Sequence, residues 1–277
     1  MKIFVTGGTG NIGSAVVQNL IANDHEVIGL ARSKESEQLL QKNGAEVYRG
    51  ELTDLTDLSQ LAKSVDGVIH LAFMNGITDM ERSLRIDLEF IRKMGKALEK
   101  TNKPFVITNH VNGDKSIDAL FALTGVRSAV VSLPPTVHGN EDIHGFIPTL
   151  IQIAKKTNYA AFVGKGENRW PAVHRLDAAN LYRLAVLNAE AGSFLSGRAE
   201  EGIPFIDIAT TIGNQLNIPT KSVTNKEAKE LFGFLGELVA LDLPSVAPET
   251  TELSRSLGWG PKERSLLIDM QQGHYFK

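Results

Sequence analysis

The chain has 277 residues, 42% hydrophobic and 22% charged, the composition of a globular protein with room for one sizeable domain and a smaller lobe. A formal net charge of −3 gives no electrostatic reason to expect nucleic acid as a partner, and no apolar run reaches the length of a membrane span. Cysteine is absent, which excludes disulfides, thiolate catalysis and cysteine-based zinc sites.

Ile3-Phe4-Val5 predicts a buried strand that runs straight into a glycine cluster, Gly7, Gly8, Gly10 and Gly13. Val16, Val17, Leu20 and Ile21 then form one face of a helix. Further short apolar runs predict strands at Glu26–Leu30, Glu46–Tyr48, Gly67–Leu71, Phe105–Thr108 and Ala129–Leu133. Helical patterns separate them at Ser36–Lys42, Leu55–Ser64 and Arg82–Lys100, the last with Ile86, Phe90, Met94 and Leu98 on one face. Alternation of this kind predicts an α/β fold with a doubly wound parallel sheet, a Rossmann fold, whose ligand lies outside the carboxyl ends of the strands.

After Leu133 the pattern loosens, and residues 135–277 are expected to form a small substrate lobe on a core of residues 1–134. Helices are predicted at Phe146–Lys156, Asp177–Asn188 and Pro204–Leu216, with short strands at Tyr159–Val163 and Phe194–Ser196. A segment near residues 174–200 is expected to return to the core. Lys226–Leu241 reads as one amphipathic stretch, and Asp177 as the cap of the helix that follows it. The first residues carry one Lys and no secretory h-region, so a cytoplasmic location is expected.

The first motif carries the most chemistry. Glycines there permit a tight turn and close approach of a diphosphate, while the helix N-terminus aims the amides of Asn11, Ile12 and Gly13 at it. Gly7 and Gly10 belong to the same turn. The residues after the second strand choose the nucleotide. A carboxylate there would favour NAD, but the chain reads Ala31-Arg32-Ser33. Arg32 is suited to a 2′-phosphate, with Ser33 adding a hydroxyl, so NADP(H) is preferred and NAD(H) is the alternative. Glu51 and Leu52 follow the third strand, at the adenine end of such a site. Ala72 and Phe73 end the fourth, where a small residue lets the cofactor lie against the backbone. Gly164-Lys165-Gly166 lacks the remaining residues of a P-loop.

By these residues the chain resembles the short-chain dehydrogenase/reductase superfamily, in its extended or atypical branch of epimerase- and dehydratase-like proteins. Thr6-Gly-Gly-Thr-Gly-Asn-Ile-Gly13 is similar to the T-G-x-x-G-x-x-G cofactor loop. Leu133-Pro-Pro-Thr-Val-His-Gly139 is similar to the segment that runs past the nicotinamide, and Asn168–Asp177 to the segment returning from the substrate lobe. Leu257–Pro261 and Gly273–Phe276 resemble the C-terminal pattern of one atypical subgroup. The resemblance implies that Thr108 and Pro134 also line the cofactor, and that Phe73, His138, Trp170 and His174 face the substrate. The histidines have no metal-ligand spacing, so no metal is expected.

One departure bears on chemistry. The branch carries a Ser after the fifth strand and a Tyr-x-x-x-Lys that handles the proton. None of Tyr48, Tyr159, Tyr182 and Tyr275 precedes a Lys by four, and Asn109 stands where the Ser is expected. Asn109 and His110 are the substitute candidates, against plainer roles as a turn cap and a loop histidine. The expected function is an NADP(H)-dependent oxidoreductase that reduces an electron-poor small molecule: a quinone, a flavin or an activated carbonyl or alkene. A catalytically impaired NAD(P)-binding sensor or regulator is the alternative, and either is expected to be a monomer or homodimer.

Overall fold

Ile3, Phe4 and Val5 are wholly buried, which is why the first strand reads as an unbroken apolar run rather than an alternation. The computed structural model describes residues 1–73, 80–109, 115–243 and 248–277. Its first elements are β1 (Lys2–Thr6), α1 (Asn11–Ile21), β2 (Glu26–Ala31), α2 (Lys34–Lys42), β3 (Glu46–Arg49) and α3 (Leu55–Ser64). Next come β4 (Gly67–His70), α4 (Met80–Leu98), β5 (Pro104–Thr108), α5 (Lys115–Phe121), β6 (Arg127–Ser132) and β7 (Thr136–His138). Then follow α6 (Phe146–Thr157), β8 (Ala160–Val163), β9 (Arg169–His174), α7 (Arg175–Asn188), β10 (Ser193–Ser196) and β11 (Glu200–Pro204). The chain continues through α8 (Phe205–Leu216), β12 (Thr220–Val223), α9 (Asn225–Phe232), α10 (Pro248–Ser256) and α11 (Leu266–Gln272).

These elements divide into two compact units. The first comprises Met1–Leu133, Ala178–Gly197 and Glu249–Gly260. Its seven strands run in the order β10-β6-β5-β4-β1-β2-β3, every neighbouring pair parallel. The fold is α/β, a doubly wound parallel sheet of the Rossmann type. The chain moves outward from β1 through β2 to β3, then crosses back to place β4 on the other side of β1. That reversal opens a crevice at the carboxyl ends of β1 and β4. Phe4, Leu58, Val68, Phe90, Met94, Leu98, Phe105 and Val130 belong to one buried cluster of this unit. On α4 the buried face holds Phe90, Met94 and Leu98, as the helical period predicts, together with the carboxylate of Asp87.

The second unit comprises Pro134–Asp177, Arg198–Pro248 and Pro261–Lys277. It holds a three-stranded sheet, β11-β9-β7, and a two-stranded pair, β12-β8. Trp170 is fully buried in its core, edge-on to Phe146 and Phe205 with ring centroids 5.9 and 5.0 Å away. Two expectations need correction. Glu249–Gly260, read with the second lobe, belongs to the first unit. Lys226–Leu241 is not one helix: α9 stops at Phe232, and two 3₁₀ turns follow at Gly233–Leu235 and Leu238–Ala240. The cause is Gly233, at φ +58 and ψ −126, after which Gly236 lies so close to Lys229 that no side chain fits there. The apolar residues still reach the core, but along a folded-back path. Among the described residues no helix is long and apolar enough to cross a membrane.

Candidate functional site: the cleft at the end of the first strand

Of the four glycines between β1 and the first turn of α1, backbone packing requires Gly7 and Gly13 and leaves Gly10 open. Gly7 has φ +70, and a Cβ there would meet the backbone of Ala72 at 2.6 Å from its nitrogen. A Cβ on Gly13 would strike the carbonyl oxygen of Gly7, so α1 can lie this close to β1 only with glycine at that position. Gly10 differs: its φ of −74 suits any residue, and an added Cβ would come no nearer than 3.4 Å to Gly7 O. Nothing among the described residues demands glycine there. Gly10 is the N-cap of α1 and supplies no side-chain cap, so first-turn amides and the positive end of the helix dipole lack a partner from that position.

Gly7, Thr9 and Gly10 line one open cleft with Leu30, Arg32, Ser36, Gly50, Glu51, Leu52, Leu71, Ala72 and Phe73. The structure therefore brings together Gly7, Gly10, Arg32, Glu51, Leu52, Ala72 and Phe73 of the residues read from sequence. Arg32 is exposed and has no ion-pair partner among the described residues. Its neighbour Arg49 is engaged, donating to Glu37 Oε2 at 2.9 Å. Ser33 is committed elsewhere: its hydroxyl accepts from the Ser36 amide at 3.2 Å and caps α2. Ser36, one helical turn beyond Ser33, lines the cleft instead. Sequence reasoning missed it because only the capped turn brings Ser36 round to the side of Arg32. Glu51 is held by its backbone, which donates to Asp54 Oδ2 at 2.7 Å.

Other candidates fall outside this cleft. Thr108 Oγ1 is 2.7 Å from the hydroxyl of Tyr182, which is buried and whose pKa burial pushes well above the usual phenol value. Asn109 follows β5 with its backbone amide on Val131 O, and its side-chain Oδ1 is buried without a partner among the described residues. His110 lies outside the described residues. Pro134 opens the second unit, and His138, Trp170 and His174 lie within it. His138 is buried and pairs through Nδ1 with Asp269 at 2.9 Å. The His174 ring is packed against Gly139 and edge-on to His138 with centroids 5.3 Å apart; burial first, then His138, holds it below the usual imidazole range. Asp177 does not cap a helix. Its carboxylate accepts the amides of Lys262 and Glu263 at 3.0 and 3.1 Å, tying the C-terminal segment to the second unit. Tyr275 does the same, donating to Asp142 Oδ2 at 2.9 Å while accepting from the Gly139 amide.

A seven-stranded parallel sheet with a glycine turn at its switch point defines a dinucleotide-binding class of α/β fold. Comparison with known proteins narrows this. The profile of the NAD dependent epimerase/dehydratase family matches residues 3–97. An uncharacterized protein of Schizosaccharomyces pombe is 39% identical over 299 aligned positions, covering 100% of both chains. One of Saccharomyces cerevisiae is also 39% identical, covering 99% of both. Among solved structures, the UDP-glucuronic acid 4-epimerase of Bacillus cereus, in complex with UDP-glucuronic acid and NAD, superposes with a TM-score of 0.71 at 17% identity. That superposition covers 99% of this chain and 98% of the epimerase. A double mutant of the dTDP-glucose 4,6-dehydratase of Streptomyces venezuelae gives 0.75 at 15% identity, covering 98% and 95%. The chain belongs to the NAD dependent epimerase/dehydratase family.

Proposed function

We propose that this chain is an NADP(H)-binding oxidoreductase that reduces an electron-poor small molecule, a quinone, a flavin or an activated carbonyl or alkene. The observation that carries the reading is one cleft lined both by Gly7, Thr9 and Gly10, which lead into α1, and by Arg32, which has no ion-pair partner among the described residues. The residues fit the group: Gly10 is a glycine the fold does not need, at the point where a diphosphate needs the room. The amides of Asn11, Ile12 and Gly13 would take the diphosphate, and Arg32 with Ser36 the 2′-phosphate. Glu51 and Leu52 would flank the adenine, and Ala72 and Phe73 the ribose side. When bound, the dinucleotide supplies a hydride from its nicotinamide ring. Glu89, Arg92, Lys93 and Lys96 make the outer face of α4 charged, which favours a monomer over a dimer built on that helix.

The substrate class follows from what handles the proton. General acid catalysis contributes about 10²–10⁴-fold, and an unactivated ketone needs it. No tyrosine here precedes a lysine by four positions, and Tyr182 and Tyr275 are committed to Thr108 and Asp142. An acceptor that takes a hydride readily makes the smaller demand, met largely by holding it in place. The same feature favours a second reading, a nucleotide-binding sensor without turnover. NADPH oxidation against a panel of quinones and flavins separates the two: tight binding with no turnover supports the sensor. Nucleotide choice is tested by Arg32→Ala. Losing one charge-assisted contact at an exposed site should weaken NADPH binding about tenfold and NADH binding less than about twofold. Equal losses for both nucleotides refute the phosphate contact.

A further inference from the structure

Directly behind the cleft, four polar side chains from four elements form one buried chain. Thr6 Oγ1, at the end of β1, lies 2.6 Å from Nδ1 of His70 at the end of β4. His70 Nε2 lies 2.9 Å from Asp87 Oδ1 on α4, and Ser116 Oγ on α5 donates to Asp87 Oδ2 at 2.7 Å. None of the four is more than 2% exposed, and Phe90 stacks on the imidazole with centroids 4.2 Å apart. The composition is that of a hydrolytic triad, but the arrangement is not. The serine bonds the carboxylate rather than the imidazole, and it is sealed from substrate.

Counting protons fixes the direction of every bond. Thr6 Oγ1 accepts from the Ala72 amide at 3.2 Å and shares the Leu71 amide, 3.3 Å away, with the Thr6 carbonyl oxygen at 3.2 Å, so donors face both lone pairs. Its own proton must therefore go to His70 Nδ1, so the imidazole carries its proton on Nε2 and gives it to Asp87. Ser116 also donates to Asp87, and an ionised carboxylate is the acceptor this geometry needs. The receiving end of the chain matters for the site. Leu71 and Ala72 line the cleft, and Gly7 packs directly on their backbone.

We infer that Asp87, His70 and Ser116 are positioning residues for the nucleotide cleft: they hold His70 in the neutral Nε2–H form, orient the Thr6 hydroxyl, and so fix the Leu71–Ala72 backbone against the glycine turn. The network thus couples the position of α5 to the floor of the cleft. The inference about affinity rests on the nucleotide reading of the cleft; the assignment of the His70 tautomer does not.

Two measurements test it. Nitrogen-15 NMR of the nucleotide-free protein at neutral pH should show His70 protonated at Nε2 with a bare Nδ1; the opposite tautomer or an imidazolium overturns the network. Titration with NADPH should show Ser116→Ala and Asp87→Ala weakening affinity about three- to tenfold, as loss of a charge-assisted hydrogen bond warrants. Asp87→Asn should stay within about twofold of the parent, since its amide can still accept from His70 and offers a proton to the Ser116 oxygen. Ser116→Ala binding like the parent refutes the coupling, and Ser116→Ala is mild enough to be scored if Asp87→Ala does not fold. Failure of Asp87→Asn to recover affinity also refutes it. If the parent protein binds no NADPH, the nucleotide reading fails, and the NMR result still decides the network.

Discussion

A methyl group at Gly10 and one at Gly13 should have opposite consequences, and the contrast separates ligand from fold. At Gly10 the backbone is already in a conformation open to alanine, and the new Cβ meets nothing nearer than 3.4 Å. Alanine is a poorer N-cap than glycine by several tenths of a kcal/mol, but it also narrows the unfolded ensemble by about 0.4–1 kcal/mol. The two nearly cancel, so the melting temperature should stay within about 3 °C for a chain of this size. At Gly13 the Cβ would collide with Gly7 O and stand 2.9 Å from Gly8 Cα, both backbone atoms that cannot rotate away. Overpacking of this kind costs about 1–3 kcal/mol, and the helix must shift to relieve it. Thermal unfolding and NADPH calorimetry on the two variants give the readout. Gly10→Ala should be nearly as stable as the parent yet bind NADPH at least about tenfold more weakly, because the methyl occupies the approach to the amides. Undiminished binding by a folded Gly10→Ala protein refutes the placement of the diphosphate. A loss of stability matching that of Gly13→Ala refutes the steric argument.

Two further outcomes follow from the second unit. Its pKa lowered by burial and by His138, His174 binds fewer protons folded than unfolded once pH drops below about 6.5, so stability should decline as pH falls through that range. His174→Gln should flatten the slope of unfolding free energy between about pH 7 and pH 5; an unchanged slope assigns the acid sensitivity elsewhere. Asp177→Ala removes the acceptor of two backbone amides, and each part-buried hydrogen bond lost costs about 0.5–1.5 kcal/mol. Urea unfolding should show that loss, with Asp177→Asn recovering part of it. An Asp177→Ala protein as stable as its parent means that water replaces the carboxylate.

The parallel sheet was legible because its strands are buried on both faces and flanked by helices with a clear apolar period, as Val16, Val17 and Leu20 show on α1. The glycine turn was legible for a different reason: glycine at Gly7 and Gly13 answers steric demands that leave a fixed spacing. What escaped has a common physical cause, dependence on distant partners. Thr136–His138 is a three-residue strand whose register partner lies in Arg169–His174, and nothing local marks it. Asp177 looked like a cap because its donors, the amides of residues 262 and 263, are invisible at short range. Asp87 was passed over because a carboxylate on the apolar face of α4 makes sense only with His70 beside it. Ser36 needed the cap at Ser33 to be known before it could be placed beside Arg32.

The way residues 249–260 finish the first unit and residues 261–277 the second has a bearing on biosynthesis. A nascent chain at residue 200 holds a nearly whole parallel sheet but lacks α10, whose Ser254 bonds the carbonyl of Ser196 on the outermost strand. The second unit waits longer still, for Asp269 and Tyr275 to reach His138 and Asp142. Translation at roughly 5–20 residues per second leaves both halves exposed for several seconds before either can shut. No single cut of the gene would yield both units whole on separate fragments.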